Sequence, residues 1–445
     1  MSRAPVLVRG KILTLEPRYP DTNAILIEDG RVAVVGMTAV DLAGDAEVVE
    51  LADDQVAVPG FVDEHLHLLA MAAVRCSIDA DRPTIAEVLA AVAEGANPLD
   101  VDAWVRAVGY DDALVAERRH PTRAELDEAG GGRPVVVHHR TGHVAVLSSA
   151  ALTAVGAPDQ RDGILADRHD LLDRVPRLDP GRLTGALDGV LADLAGGGIV
   201  AVTDATHTND RAAIELLDRA TPIEITAMVG WDRLDTLGFG DRIGRVRVGH
   251  AKVMPGADDR AQAADGSEVD LGQAVAAARG SGFPVAIHVM DIDTLATTID
   301  ALRSSPPPQG TRDRIEHCAL ALPEQLDQLA ELPVDVVTQP SFVTHRADKY
   351  RDQLSEVEQA WLWPLASLVD RGIPVRFSSD SPVVPARPVE WLAAAVARDL
   401  NPDQRVFWLD AVRAATVGEL EVGSPGTLVV VTEDLATIER VLRAE

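Results

Sequence analysis

The sequence predicts an α/β protein built on a (β/α)8 TIM barrel, and three observations predict it. From Pro59 onward, short β-branched runs alternate with Ala/Leu-rich stretches of helical period, the pattern of repeated βα units. Eight such runs occur, the number that closes this barrel. Several of them end in His or Asp, and in this fold the chemistry sits at the C-terminal ends of the strands.

The elements follow in chain order. Before Pro59 the chain reads as short antiparallel strands, Val6–Val8, Lys11–Leu15, Ala24–Glu28 and Arg31–Val35, with Asp29-Gly30 as a hairpin turn. The barrel runs are Gly60–Val62 leading into His65, Ile199–Val202, Ile223–Val229, Val248–Met254, Pro284–His288, Arg314–Cys318, Val334–Thr338 and Val375–Ser379. Helical patterns between them cover Arg211–Ala220, Leu271–Gly282, Leu295–Leu302, Glu324–Leu332, Leu365–Gly372 and Val389–Ala397. A long insertion, residues 68–198, separates the first two runs. Without it, the barrel assigned to residues 59–417 comes close to the ~250 residues usual for the fold. After Gly423, Pro425 and Gly426, the segment TLVVV reads as a strand returning to the N-terminal β unit.

Composition narrows the class of partner. With 41 basic and 70 acidic side chains the net charge is −29, which repels a phosphate backbone and argues against nucleic acid. Hydrophobic residues make up 47% and aromatics only 3%, so Ala, Val and Leu must build the core. Two cysteines, Cys76 and Cys318, are too few for a disulfide framework and read as reduced, buried thiols. No apolar run is long enough to cross a membrane, and no secretory leader is legible, so the expectation is a cytoplasmic enzyme for a small-molecule substrate. Assembly into a homo-oligomer is compatible with this reading.

The chemistry is carried by strand ends. In Pro59-Gly60-Phe61-Val62-Asp63-Glu64-His65-Leu66-His67, residues 65 and 67 face the same side of a strand and offer two imidazoles to one ion. The fifth run ends at His288, the sixth at His317 and the eighth at Asp380, while the fourth contains Lys252. Imidazole and carboxylate donors converging from separate strands point to a divalent metal, zinc first, with iron, manganese, nickel and cobalt as other fits. Lys252 has two readings: a deprotonated amine that takes up CO2 as a metal-bridging carbamate, or a charged lysine paired with Asp258, Asp259 or Asp380. Trp231 past the third run, His143 in the insertion, His207 after the second run and His345 after the seventh are candidate substrate contacts.

PGFVDEHLH, the strand holding Lys252, the strand ending in His288, RIEHC around His317 and Ser378-Ser379-Asp380-Ser381-Pro382 together resemble the amidohydrolase superfamily of metal-dependent hydrolases. The chain is most similar to its third family, that of N-substituted formamide deformylase-like proteins. Within the insertion, Trp104 to Asp111, Arg133 to Val137, and Gly142-His143-Val144-Ala145 with residues 147–152 resemble that branch's long first loop. Val253-Met254-Pro255-Gly256 stands where the branch usually has an aromatic and an Asp-Gly pair. The resemblance implies one or two Zn2+-type ions, His65, His67 and Asp380 holding the first, His288 and His317 the second, with Lys252 bridging as a carbamate. It implies a small β-sandwich from both chain ends, residues 1–58 plus 418–445. It also implies hydrolysis of a C–N bond in an amide, formamide or cyclic amide. A zinc-type ion lowers the pKa of bound water from 15.7 to roughly 7, and Asp380 would take the proton and deliver it to the leaving nitrogen. The alternative reading is deamination of an aminated heterocycle. A non-catalytic barrel scaffold is the remote one and would lack ligands, yet none is missing from the sequence.

Overall fold

The computed structural model describes residues 5–16, 19–100, 102–142, 144–166, 168–172, 174–176, 178–256, 259–263, 267–433 and 437–442. The chain divides into two compact units, residues 1–67 with 191–445, and residues 68–190.

In the first unit eight parallel strands follow one another around the barrel: Phe61–Leu66, Ile199–Asp204, Glu224–Gly230, Val246–Val253, Val285–Val289, Asp313–His317, Val334–Thr338 and Val375–Phe377. The first and last strands meet just beyond their ends, where the Asp380 amide donates to the His65 carbonyl (2.7 Å) and the His67 amide to the Ser381 carbonyl (2.9 Å). This seam puts residues far apart in sequence, 65, 67 and 380, side by side. The eighth strand stops at Phe377, two residues short of the expected Ser379. The cause is local: the Ser379 amide donates to the Asp63 carboxylate (3.0 Å) and its hydroxyl does the same (2.6 Å), so a side chain takes the place of the ladder.

Helices start where short polar side chains can bond their free amides. Asp210 caps Arg211–Leu217, and Asp291 caps Ile292–Ser304 by accepting from the Thr294 amide at 2.8 Å. The largest fully buried side chains, among them Trp363, Trp391, Phe61, Phe283 and Phe377, compensate for the scarcity of aromatics by being placed in the interior.

The terminal sheet of this unit has seven strands. Ile438–Leu442, Leu428–Thr432, Gln55–Pro59, Val6–Glu16, Tyr19–Glu28 and Arg31–Val35 run in that order, and Glu47–Glu50 pairs with Val6–Glu16. Strand Leu428–Thr432 lies antiparallel to Gln55–Pro59. The segments Val6–Val8 and Lys11–Leu15, which alternate separately in sequence, form a single strand. Gly10 joins them at φ +129° in a register shift, and a Cβ there would stand 2.6 Å from that of Leu51; only glycine fits such a bulge.

The second unit carries a mixed five-stranded sheet, ordered Ile164–Ala166, Val144–Leu147, Val135–His139, Val105–Tyr110 and Ile78–Asp79. Alternation along the strands sends Val135, Val137 and Val146 into one cluster with Val88, Val92 and Leu126, and Val136, Ala145 and Leu147 into another with Leu152 and Leu171. Both faces are therefore covered by helices, two of which are capped by Thr84 and by the Thr122–Glu125 capping box. Cys318 is buried, but Cys76 is half-buried rather than buried, its Sγ lying 3.6 Å from the Arg182 carbonyl. Among the described residues no helix is long and apolar enough to cross a membrane.

Candidate metal centre

Phe61–Leu66 presents Asp63 and His65 on one side, with His67 just past its end. Nε2 of His65 and of His67 lie 3.5 and 3.1 Å from Asp380 Oδ1, and one ligand atom from each of the three falls within 4.8 Å of the others. The sixth and fifth strands bring their terminal imidazoles to the same place. The His317 ring is 4.8 Å from that of His65 and 4.5 Å from that of His288, centroid to centroid. Lys252 is buried, and its Nζ has no hydrogen-bond partner among the described residues. Its expected acidic partners are taken elsewhere: Asp380 is engaged by the histidines, and Asp259 accepts from Thr294 and Thr297 at 2.8 and 2.9 Å. Asp258 lies outside the described residues.

Outer hydrogen bonds decide which nitrogen of the His65 and His317 rings faces inward. His65 Nδ1 is bonded to the Glu316 carboxylate, which can only accept, so Nδ1 carries the proton and Nε2 its lone pair. His317 Nδ1 is 2.8 Å from Gln339 Oε1; the Gln339 amide nitrogen donates to Ser378 Oγ (2.9 Å), which fixes its oxygen toward the ring. His67 Nδ1 is 3.0 Å from Thr206 Oγ1. Such partners orient metal-binding imidazoles and fix their tautomers. Glu316 is in turn paired with Arg314 (2.8 Å), which also reaches Glu64 at 3.1 Å.

Electrostatics agree with this geometry. Burial, reinforced by the Lys252 charge, pulls the His65 imidazole down to about 3. Burial and neighbouring cations likewise hold His288 and His317 below their ordinary value. Burial brings Lys252 down to about 8 against the pull of Glu316 and Asp380. Burial would raise Glu316 and Asp380, but the Arg314 charge outweighs it for Glu316, and the His67 hydrogen bond with the surrounding imidazoles outweighs it for Asp380. Asp63, by contrast, is driven up to about 7 by burial in spite of its Ser379 bonds. The site thus combines the neutral imidazoles of His65, His288 and His317 with an easily deprotonated amine and a charged carboxylate. That donor set fits a divalent cation, and the orphaned, buried Lys252 nitrogen fits a missing partner. His317, Cys318 and Asp380 have φ of 69°, 52° and 61°, left-handed conformations that cost non-glycine residues about 1–3 kcal/mol each and concentrate at functional sites.

An amidohydrolase family model matches residues 49–438. The chain belongs to the amidohydrolase family. This amidohydrolase is 27% identical to the N-substituted formamide deformylase of Arthrobacter pascens, over 96% of this chain and 93% of that protein. It is 25% identical to the putative amidohydrolase YtcJ of Bacillus subtilis, over 89% and 84%. In fold it is similar to an uncharacterized metal-dependent hydrolase from Pyrococcus horikoshii, with a TM-score of 0.76 at 22% identity over 98% and 99% of the chains. Family membership makes the protein an enzyme, a hydrolase of carbon–nitrogen bonds other than peptide bonds.

The candidate substrate contacts fare differently. The amide of Trp231 donates to the Lys252 carbonyl (3.1 Å), and its indole nitrogen is buried without a hydrogen-bond partner among the described residues. His207 is half-buried on the turn after the second strand. His345 Nε2 is bonded to Glu390 at 2.9 Å, an arrangement of its own. His143 lies outside the described residues. Sequence reasoning misses Glu316, Gln339, Arg314 and Thr206. The only signal for Glu316 is its place beside His317 in RIEHC, and Gln339 follows the seventh strand with none.

Asp111, Asp112 and His139, in the other unit, also gather possible ligands, with His139 Nε2 3.3 and 3.2 Å from the two carboxylates. Here the Thr141 amide donates to His139 Nδ1 (3.1 Å). Nδ1 is therefore an acceptor, and in the neutral ring Nε2–H is the proton that faces the carboxylates. His139 Nε2 is buried without a hydrogen-bond partner among the described residues, since the two carboxylates stand near it outside bonding geometry.

Proposed function

We propose that this amidohydrolase cleaves the C–N bond of a small amide, formamide or cyclic amide at the barrel mouth. The observation that carries the reading is the meeting of His65, His67, His288, His317 and Asp380 from four strands, with the Nδ1 atoms of His65 and His317 tied outward. His65, His67 and Asp380 would hold one divalent ion, with zinc the first candidate, and His288 and His317 a second, with Lys252 joining them as a carbamate. Electron density at Lys252 Nζ in metal-loaded crystals distinguishes the carbamate from a plain amine. When bound, the ion supplies an acidified water and polarises the scissile carbonyl.

The chain's own groups do the rest. Asp380, kept charged by His67 and its imidazole neighbours, accepts the proton of the attacking water and delivers it to the leaving nitrogen, serving first as base and then as acid. Glu316 and Gln339 hold their imidazoles in register. Trp231, whose main chain abuts Lys252, forms an apolar wall for the substrate. The relative from Arthrobacter pascens, named for formamide deformylation, supports an N-acyl or N-formyl substrate.

The test is turnover of the metal-loaded enzyme on N-acyl and N-formyl amines, cyclic amides and aminated heterocycles. Amine release from the first classes is expected, and Asp380→Asn should lower it about 10²- to 10⁴-fold while circular dichroism stays unchanged. Ammonia release from heterocycles alone would replace the amide reading with a deaminase, and near-normal Asp380→Asn rates would remove Asp380 from proton transfer.

A further inference from the structure

The turn that carries Asp380 is fastened to the first barrel strand at every second residue. The Ser379 amide and hydroxyl donate to the Asp63 carboxylate (3.0 and 2.6 Å). The Asp380 amide donates to the His65 carbonyl (2.7 Å), and the Ser381 carbonyl accepts from the His67 amide (2.9 Å). Residues 379, 380 and 381 are thus tied in register to 63, 65 and 67, and the last two of these are candidate ligands.

The pivot is a pair of fully buried side chains, Asp63 and Ser379. Asp63 Oδ1 accepts from the His65 amide (3.3 Å) as well as from that of Ser379. Ser379 Oγ donates to Asp63 Oδ2 and accepts from the Ser381 amide at 2.9 Å. The amides on either side of Asp380 therefore end on this pair. Between them Asp380 stands at φ 61°, a left-handed conformation that a non-glycine residue keeps only where its surroundings enforce it. The direction of its side chain follows from that backbone, and its Oδ1 arrives 3.1 Å from His67 Nε2 and 3.5 Å from His65 Nε2.

The preceding serine has another task. Ser378, equally buried, accepts from the Gln339 amide nitrogen (2.9 Å) and donates to the Thr338 carbonyl (3.2 Å). Gln339 bonds in turn to His317. Two adjacent hydroxyls are therefore directed to two different ligands, and a general packing role for the segment would not divide them in this way.

We propose that Ser379, gripped by Asp63, is the positioning residue for Asp380, holding the turn that aims this carboxylate at the ion shared with His65 and His67. Ser378 serves His317 separately. The inference rests on the metal-centre reading above and adds to it the groups that set the affinity of the His65–His67–Asp380 set.

The test is Zn2+ affinity by chelator competition, with the Co2+ absorption spectrum as a reading of ligand geometry. Ser379→Ala leaves the Ser381 amide and Asp63 Oδ2 without their partner, so affinity should fall about 10- to 100-fold and the Co2+ bands should shift. In an Asp380→Ala background the same substitution should cost nothing further, whereas Ser378→Ala should still lower affinity, because only contacting groups couple in such a cycle. A Ser379→Ala loss of equal size with and without Asp380, or an unchanged affinity and spectrum, overturns the proposal. Should Ser379→Ala fail to fold by circular dichroism, Asp63→Asn is read in the same way, and wild-type crystals grown with Zn2+ decide without any substitution. Asp380 on the ion with both Asp63–Ser379 bonds kept supports the proposal; an ion bound without Asp380, or with those bonds broken, overturns it. None of these readings needs a substrate, so failure of the C–N hydrolase reading alone leaves them standing.

Discussion

Two clusters in this molecule bring histidine and aspartate within ligand distance, yet they differ in what holds the outer nitrogens of their rings. Around His65, His67 and Asp380, the outer ring nitrogens of the two histidines are engaged by Glu316 and Thr206, and that of the adjoining His317 by Gln339. With Glu316 and Gln339 as acceptors, Nε2 of His65 and of His317 keeps its lone pair, while His67 Nε2 lies 3.1 Å from Asp380 Oδ1. Around Asp111, Asp112 and His139, a backbone amide donates to the outer nitrogen, and the proton faces the carboxylates. Proximity of residue types therefore does not define a metal site. The hydrogen bonds one layer out do, because they choose the tautomer.

The largest effect should come from the ligands themselves. The double variant His65→Ala/His67→Ala is expected to lose its bound metal by elemental analysis, whereas Asp111→Asn/Asp112→Asn should retain it; the opposite pattern would exchange the roles of the two clusters. Glu316→Gln probes the outer layer. A carboxamide offers His65 a weaker acceptor and removes one of the two carboxylates paired with Arg314, so metal affinity by chelator competition should fall about 10- to 100-fold; an unchanged affinity would show that the tautomer is held by other means.

A smaller effect should come from acid. His138, whose Nε2 is 3.1 Å from Arg106 Nη1, is pulled down to about 4 by burial and by the Arg106 charge. Its unfolded value lies above its folded one, so between pH 6.5 and about 4 the unfolded chain binds more protons. The stability that this histidine contributes is complete above pH 6.5 and declines as pH falls through that window. His138→Gln, which can still accept from Arg106, should flatten the decline by on the order of 1–3 kcal/mol in urea unfolding at pH 7 and pH 5. An unaltered slope would assign the acid sensitivity to other groups.

Much of the barrel is legible in the sequence because its signals are local. The run Val334–Thr338 has the bounds of the observed strand, and the other barrel runs differ from the observed strands by a few residues, since β-branched runs and helical periods need no distant partner to be recognised. Disagreements arise where a side chain or a glycine intervenes in the ladder. Asp63 captures the Ser379 amide and ends the eighth strand early, while the Gly10 bulge joins two runs into one. The five-stranded sheet of residues 68–190 is not legible at all, because its mixed pairing follows no fixed period.

The sequence by itself determined the alternation of strands and helices, the strand-end residues His65, His67, His288, His317 and Asp380, and a charge that argues against nucleic acid. Only the tertiary structure decided that these side chains meet, that Glu316 and Gln339 orient them, and that Asp63 and Ser379 fasten the turn of Asp380. Residue type and period are properties of neighbouring positions along the chain. The direction of a lone pair and the aim of a carboxylate depend on groups hundreds of residues apart, which only the closed barrel brings together.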